Sequence, residues 1–217
     1  HVITVSQKIA RDIAASAQAI QVAQPGAPEI VGQLLAIERA DGIPWQDVES
    51  LGRPDTEASE HLIWFFPEEG KVFKATAYGK FGHSIERGSG KNTPLEYLRR
   101  IAAVNEAFQD SATIIGKFRH PDAALGLVHA QDFVPRKTGS RKITDTQILR
   151  FLNEQGFELD PMRAGVFVNQ RIGIEVADAH PGNFIRSENG AIVPIDVLAF
   201  KFDQNKGIDF FGTRTEG

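Results

Sequence analysis

Cysteine is absent from the 217 residues, which excludes a disulfide framework and a thiolate zinc site. Long apolar runs are missing too. None approaches the roughly 20 residues that a membrane-spanning helix needs, so no membrane partner is expected. The first residues, His1-Val2-Ile3-Thr4-Val5, have no basic region and no long apolar core, so they do not read as a signal peptide. An initiator Met is lacking as well, as expected of a piece excised from a longer, multidomain protein. With no cysteine, the expected location is cytoplasmic. Positive charge is not in excess: the formal net charge is -4 and the pI about 5.9. A nucleic-acid partner is therefore not expected.

What is present suits a globular fold. Hydrophobic residues make 41% and charged residues 24% of the chain, enough for one sizeable domain or two small lobes. Ile9, Ile13, Ala17 and Ile20 recur at helical spacing over Ser6 to Gln21, and Gln24-Pro25-Gly26 breaks the pattern. Glu29 to Arg39 reads as a second helix. A strand over His61 to Phe66, the turn Pro67-Glu68-Glu69-Gly70, and a returning strand over Lys71 to Tyr78 form a hairpin. Gly79 to Asn92 reads as a flexible loop. Thr93-Pro94-Leu95-Glu96 opens a helix with a cap, a first-turn Pro and an acid. Strands are expected near 112–118 and 124–133, and a helix over Asp145 to Gly156. A short hairpin is expected over Val166 to Val176, with Ile192 to Val197 as a returning strand.

The chemistry-bearing residues lie late in the chain. Ala177-Asp178-Ala179-His180-Pro181-Gly182-Asn183 follows an apolar run, and Ile192-Val193-Pro194-Ile195 leads to Asp196, thirteen residues after Asn183. Phosphoryl transfer uses such a set: one carboxylate accepts the acceptor's proton, while an amide oxygen and a second carboxylate hold magnesium. Asp178 suits the first role, and Asn183 and Asp196 the second. His180 is expected to steady the loop by hydrogen bonding.

This ordered set resembles the catalytic and metal-binding order of the protein-kinase-like superfamily. A His two residues after the Asp is similar to the aminoglycoside and choline kinases. The chain resembles most the kinase-like domains of polyvalent proteins of phages and mobile elements, from about Leu51 to Phe200. The resemblance implies an α+β, two-lobe fold with a minimal C-terminal lobe and an N-terminal helical extension. Its expected parts are a helical extension over 1–50, an N-terminal lobe of antiparallel sheet plus helix over 51–134, and a short C-terminal lobe over 135–217. It implies ATP as co-substrate, Mg2+ as cofactor and an unknown phosphate acceptor. Lys74 on the returning strand would reach the nucleotide phosphates. Glu106 borders the apolar face of the third helix and is the favoured ion-pair partner for Lys74. Asn105 substitutes for that acid or braces the helix. Glu96 is expected to pair with Arg100 on the surface. Ser59 and nearby backbone amides would contact phosphate, although the segment Leu51 to Glu60 is neither Gly-x-Gly-x-x-Gly nor a Walker loop. Asp132 and Val134 lie where backbone groups would meet adenine. Only about twenty residues follow Asp196, with no Ala-Pro-Glu element, so a protein substrate is not implied.

Two other readings stay open on the sequence. One is a nucleotide-binding or scaffold module with a degenerate kinase fold. The other is a metal-dependent phosphohydrolase using Asp178, His180 and Asp196.

Overall fold

The computed structural model describes residues 5–58, 60–82, 92–139 and 141–202. It is a mixed helix and sheet protein, α+β in class, and the chain divides into two compact units, His1–Pro135 and Arg136–Gly217.

The first unit opens with helices α1 (Val5–Ala23) and α2 (Glu29–Arg39). Its sheet holds β1 (Thr56–Glu57), β2 (His61–Phe66), β3 (Lys71–Thr76), β4 (Thr113–Arg119) and β5 (Leu125–Asp132), in the order β1-β2-β3-β5-β4. Every pairing is antiparallel. The hairpin thus joins the strands expected near 112–118 and 124–133 in one sheet. Gly70, in the left-handed region at φ 65°, closes the turn between β2 and β3, where a side chain would be strained. Helix α3 (Pro94–Phe108) begins with a full capping box: Glu96 N–H donates to the Thr93 hydroxyl, and Thr93 N–H donates to the Glu96 carboxylate.

One face of the sheet and α3 share a core with α1 and α2. Ile13, Ile37, Leu98, Ile101, Ile114 and Leu127 belong to one buried cluster. Polar ties reinforce it. The Ser6 hydroxyl donates to the Ala112 carbonyl at 3.2 Å. Lys117, buried on β4, aims its ammonium at the carbonyls of Ile37, Glu38 and Ala40, at 2.8 to 3.1 Å. Those carbonyls lie at the end of α2, where a cation meets the negative end of the helix dipole; Ile37 and Ala40 also accept from the Ala40 and Ile43 N–H groups. The opposite face of the sheet buries Trp64, Ala75, Phe118 and Val128 under Val48 and Leu51.

The second unit contains α4 (Asp145–Glu154), which has its own capping box between Thr144 and Gln147. A sheet follows, built from β6 (Glu158–Leu159), β7 (Phe167–Asn169), β8 (Ile174–Ala177) and a later strand, β11 (Leu198–Lys201), in the order β11-β8-β7-β6. Between β8 and β11 the chain forms a hairpin of β9 (Phe184–Arg186) and β10 (Ile192–Pro194). The sequence pattern over Ile192 to Val197 read as a single strand. It is instead cut after Pro194, because Ile195 and Asp196 bend and the chain returns to β8 as β11.

Candidate functional site

In the second unit the Asp178 turn connects β8 to β9. Asp178 has φ 56°, a left-handed conformation uncommon outside Gly but tolerated by Asp. It persists because its surroundings hold it. The Asn183 side-chain amide donates to both the Asp178 backbone carbonyl and its Oδ2, each at 2.8 Å. Turning that amide over would set oxygen against two oxygens, so its orientation is fixed. Asn183 Oδ1 then faces away from Asp178 and accepts no hydrogen bond among the described residues. The other carboxylate oxygen, Oδ1 of Asp178, lies 3.5 Å from His180 Nε2.

His180 is fixed in turn. Its Nδ1 accepts from the Gly182 N–H at 3.0 Å, so in the neutral ring the proton sits on Nε2, toward Asp178. A Cβ at position 182 would stand 2.8 Å from His180 Cε1, so a side chain there would displace the His180 ring. Asp178 and His180 are both about half exposed, with side-chain exposures of 51% and 56%, whereas Asn183 is buried. Asp196 enters the same framework through its neighbour: Ile195 N–H donates to the Asn183 carbonyl at 2.8 Å. Asp196 itself lies exposed on the bend after β10. Asp178, His180, Asn183 and Asp196 therefore belong to one hydrogen-bonded turn-and-hairpin. Among the described residues no group of three or more His, Cys, Asp or Glu is placed to share a metal ion.

In the first unit Lys74 is buried on β3. It stands opposite His129 on β5 and Ile63 on β2. Directly paired side chains share a sheet face, and His129 meets Tyr97 of α3. Lys74 therefore faces α3. Lys71, three residues earlier, is on the other face, where its ammonium meets the exposed Asp132 at 2.5 Å. That contact, with the Ser111 hydroxyl, holds the Asp132 carboxyl below the ordinary range.

Glu106 accepts from the Gln7 side chain of α1 at 2.9 Å, and Asn105 donates to the Ala112 carbonyl at 2.6 Å. The acid whose titration registers Lys74 is Asp110, beyond the end of α3. Burial raises its pKa, and the Ser111 N–H and the Lys74 ammonium oppose that rise. Periodicity could not find Asp110, because Gln109 leaves the helix in the left-handed region at φ 55° and the helical face no longer says where the next side chains go. The surface pair expected between Glu96 and Arg100 does not form. Glu96 serves the cap, and Arg100 turns inward to Glu60 at 2.7 Å.

At the end of β5, the Asp132 N–H donates to Ser111 Oγ and the Phe133 N–H to the Gly70 carbonyl. Val134 comes next, half-buried, and its backbone makes no hydrogen bond among the described residues. Ser59 lies outside the described residues.

Beneath Lys74 is a buried polar network. The Tyr97 hydroxyl lies 2.9 Å from His61 Nε2 and 2.8 Å from His129 Nδ1. One hydroxyl supplies one proton, so one of these ring nitrogens must accept and the other donate. Burial, then the charges of Lys74 and Arg100, keep the His61 pKa well below the ordinary value of 6.5. The folded state thus refuses a proton that the unfolded chain takes up near pH 6.5, and stability falls as pH drops below that value. The melting temperature should decline between about pH 7 and pH 5, and His61→Gln should make the decline shallower. An equal decline in the variant would remove His61 as its source.

The comparison with family models gives a direct match. A model described as a serine/threonine/tyrosine kinase found in polyvalent proteins covers residues 40–203. The chain belongs to this family. The match leaves α1 and α2 outside this kinase family's boundaries, although both helices pack in the core of the first unit. No curated protein and no solved structure matches the chain.

Proposed function

We propose that this kinase-family chain transfers the γ-phosphoryl group of ATP to an acceptor hydroxyl, with its two units serving as the two lobes of a kinase fold. The observation that carries the reading is the Asn183 amide. It spends both protons on Asp178 and leaves its own oxygen for a cation.

In this reading Asp178 takes the proton from the acceptor O–H as that oxygen bonds to the γ-phosphorus and the bond from phosphorus to the β-phosphate oxygen breaks, releasing ADP. His180 and Asn183 hold the Asp178 carboxylate in place. Asn183 Oδ1 and the Asp196 carboxylate are the residues that would hold magnesium. A neutral and a charged hard oxygen suit that ion, with phosphate oxygens and waters as further ligands. When bound, magnesium supplies neutralisation of phosphate charge. Lys74 binds phosphate, the Val134 backbone reads the adenine edge, and the Asp110 and Glu106 carboxylates orient the Lys74 side of α3. The hydrolase reading needs Asp178, His180 and Asp196 as joint metal ligands, an arrangement not found among the described residues.

The test compares ATP affinity in Lys74→Met and Lys71→Met. Loss of a charge-assisted contact of about 1.5–3 kcal/mol should weaken magnesium-ATP binding about 10- to 100-fold in Lys74→Met and leave Lys71→Met near the parent. The reverse result would place the nucleotide on the wrong face of the sheet and end the assignment.

A further inference from the structure

A concavity lies within the second unit, beside the Asp178 turn. It encloses about 220 Å3, and its lining residues include the cationic Arg136, Arg141, Lys142 and Arg186 around a mostly apolar surface with Phe184 and Ile185. No acidic side chain lines it. In a chain of net charge -4, such a concentration of one sign is local, and a concave wall focuses its field.

The cations are mounted on fixed backbone. Lys137 N–H donates to the Arg186 carbonyl at 2.9 Å, and Arg136 bridges to Ser187 as an antiparallel partner. The Arg186 guanidinium donates to the Gly190 carbonyl at 3.0 Å, which holds its fork in place. Guanidinium forks match the oxygens of a phosphate in pairs. The space is smaller than the roughly 300 Å3 at which drug-sized ligands begin to be enclosed. It therefore fits one compact anionic group with a short apolar body. Its remaining wall is Pro181 and Gly182, the residues between His180 and Asn183, so one turn builds both this wall and the framework that holds Asp178.

We propose that this pocket binds the phosphate of an organic phosphomonoester, making the acceptor a compound that already carries one phosphate. The role as acceptor site rests on the kinase reading; the binding does not. The test is calorimetric titration of the whole chain with phenyl phosphate, without nucleotide, beside phenol and inorganic phosphate. Phenyl phosphate should bind saturably and better than either of the others. Arg141→Gln and Lys142→Gln, both at exposed positions and so expected to fold, should each weaken it at least about tenfold, the loss of one charge-assisted contact. Absence of saturable binding, binding by both pocket variants as tight as the parent's, or inorganic phosphate binding as well as the ester would overturn the proposal. Displacement of phenyl phosphate by magnesium-ATP would also overturn it, because the pocket would then belong to the nucleotide. If phenyl phosphate binds as expected but no phosphoryl transfer is found with any acceptor, the kinase reading fails and the pocket stands as an anion site.

Discussion

Asp178→Asn should lower phosphoryl transfer by about 10^2- to 10^4-fold, the usual contribution of a general base, while magnesium-ATP binding stays near the parent level. The Asn side chain keeps the size of the carboxylate, so the turn loses little. Its Oδ oxygen can still accept from Asn183. What it cannot do is take the acceptor's proton. Single-turnover transfer measured beside ATP affinity separates the two effects. An equal loss of affinity and rate would mean that Asp178 belongs to the nucleotide site rather than to the proton transfer. A rate within a few-fold of the parent would remove it from the chemistry.

Arg100→Met should cost the fold about 3–5 kcal/mol, the range for breaking one partner out of a buried ion pair. Arg100 and Glu60 are both buried, with side-chain exposures of 6% and 11%, so the substitution removes a charge-assisted contact from the Glu60 carboxylate in a poorly solvated place. The guanidinium also packs over the Tyr97 ring, 5.3 Å from its centroid, and a methionine replaces only part of that contact. Urea unfolding followed by circular dichroism should show a large fall in midpoint. Glu60→Gln with Arg100→Met together should recover part of the loss, because the buried carboxylate charge is then removed along with its cation. A cost below about 1 kcal/mol for Arg100→Met, the level of an exposed pair, would mean that water reaches the pair freely.

The local signals in the sequence carried far. Thr93 with Glu96 marks a helix start that the structure keeps as a capping box, and the helix read over Asp145 to Gly156 starts at Asp145. The hairpin around Pro67 to Gly70 and the short strands flanking Asp178 were legible for the same reason, since turn chemistry and alternation act over a few residues. The long-range partners were not. Lys117 reads as an ordinary strand lysine, yet it closes the end of a helix about eighty residues earlier. Arg100 pairs with Glu60 rather than with its helical neighbour Glu96, because burial of the inward face outweighs a surface pair of a few tenths of a kcal/mol. The influence of Lys74 on Asp110 was also hidden, since Asp110 sits past a left-handed residue that ends the helical period. The order Asp178, His180, Asn183 and Asp196 was readable. The way Asn183 divides its amide between Asp178 and a free oxygen was not, because it depends on the left-handed backbone of Asp178.

The central claim is that one turn-and-hairpin supplies both the base and the metal oxygens. It is tested most directly by transfer of labelled γ-phosphate from ATP, with and without magnesium, in the parent chain, Asp178→Asn and Asp196→Asn, alongside ATP affinity in each. The expected result is magnesium-dependent transfer by the parent, loss of magnesium-dependent ATP affinity in Asp196→Asn, and loss of transfer with affinity kept in Asp178→Asn. Magnesium-dependent binding of ATP by the parent and by Asp196→Asn alike, with no transfer in either, would contradict the account.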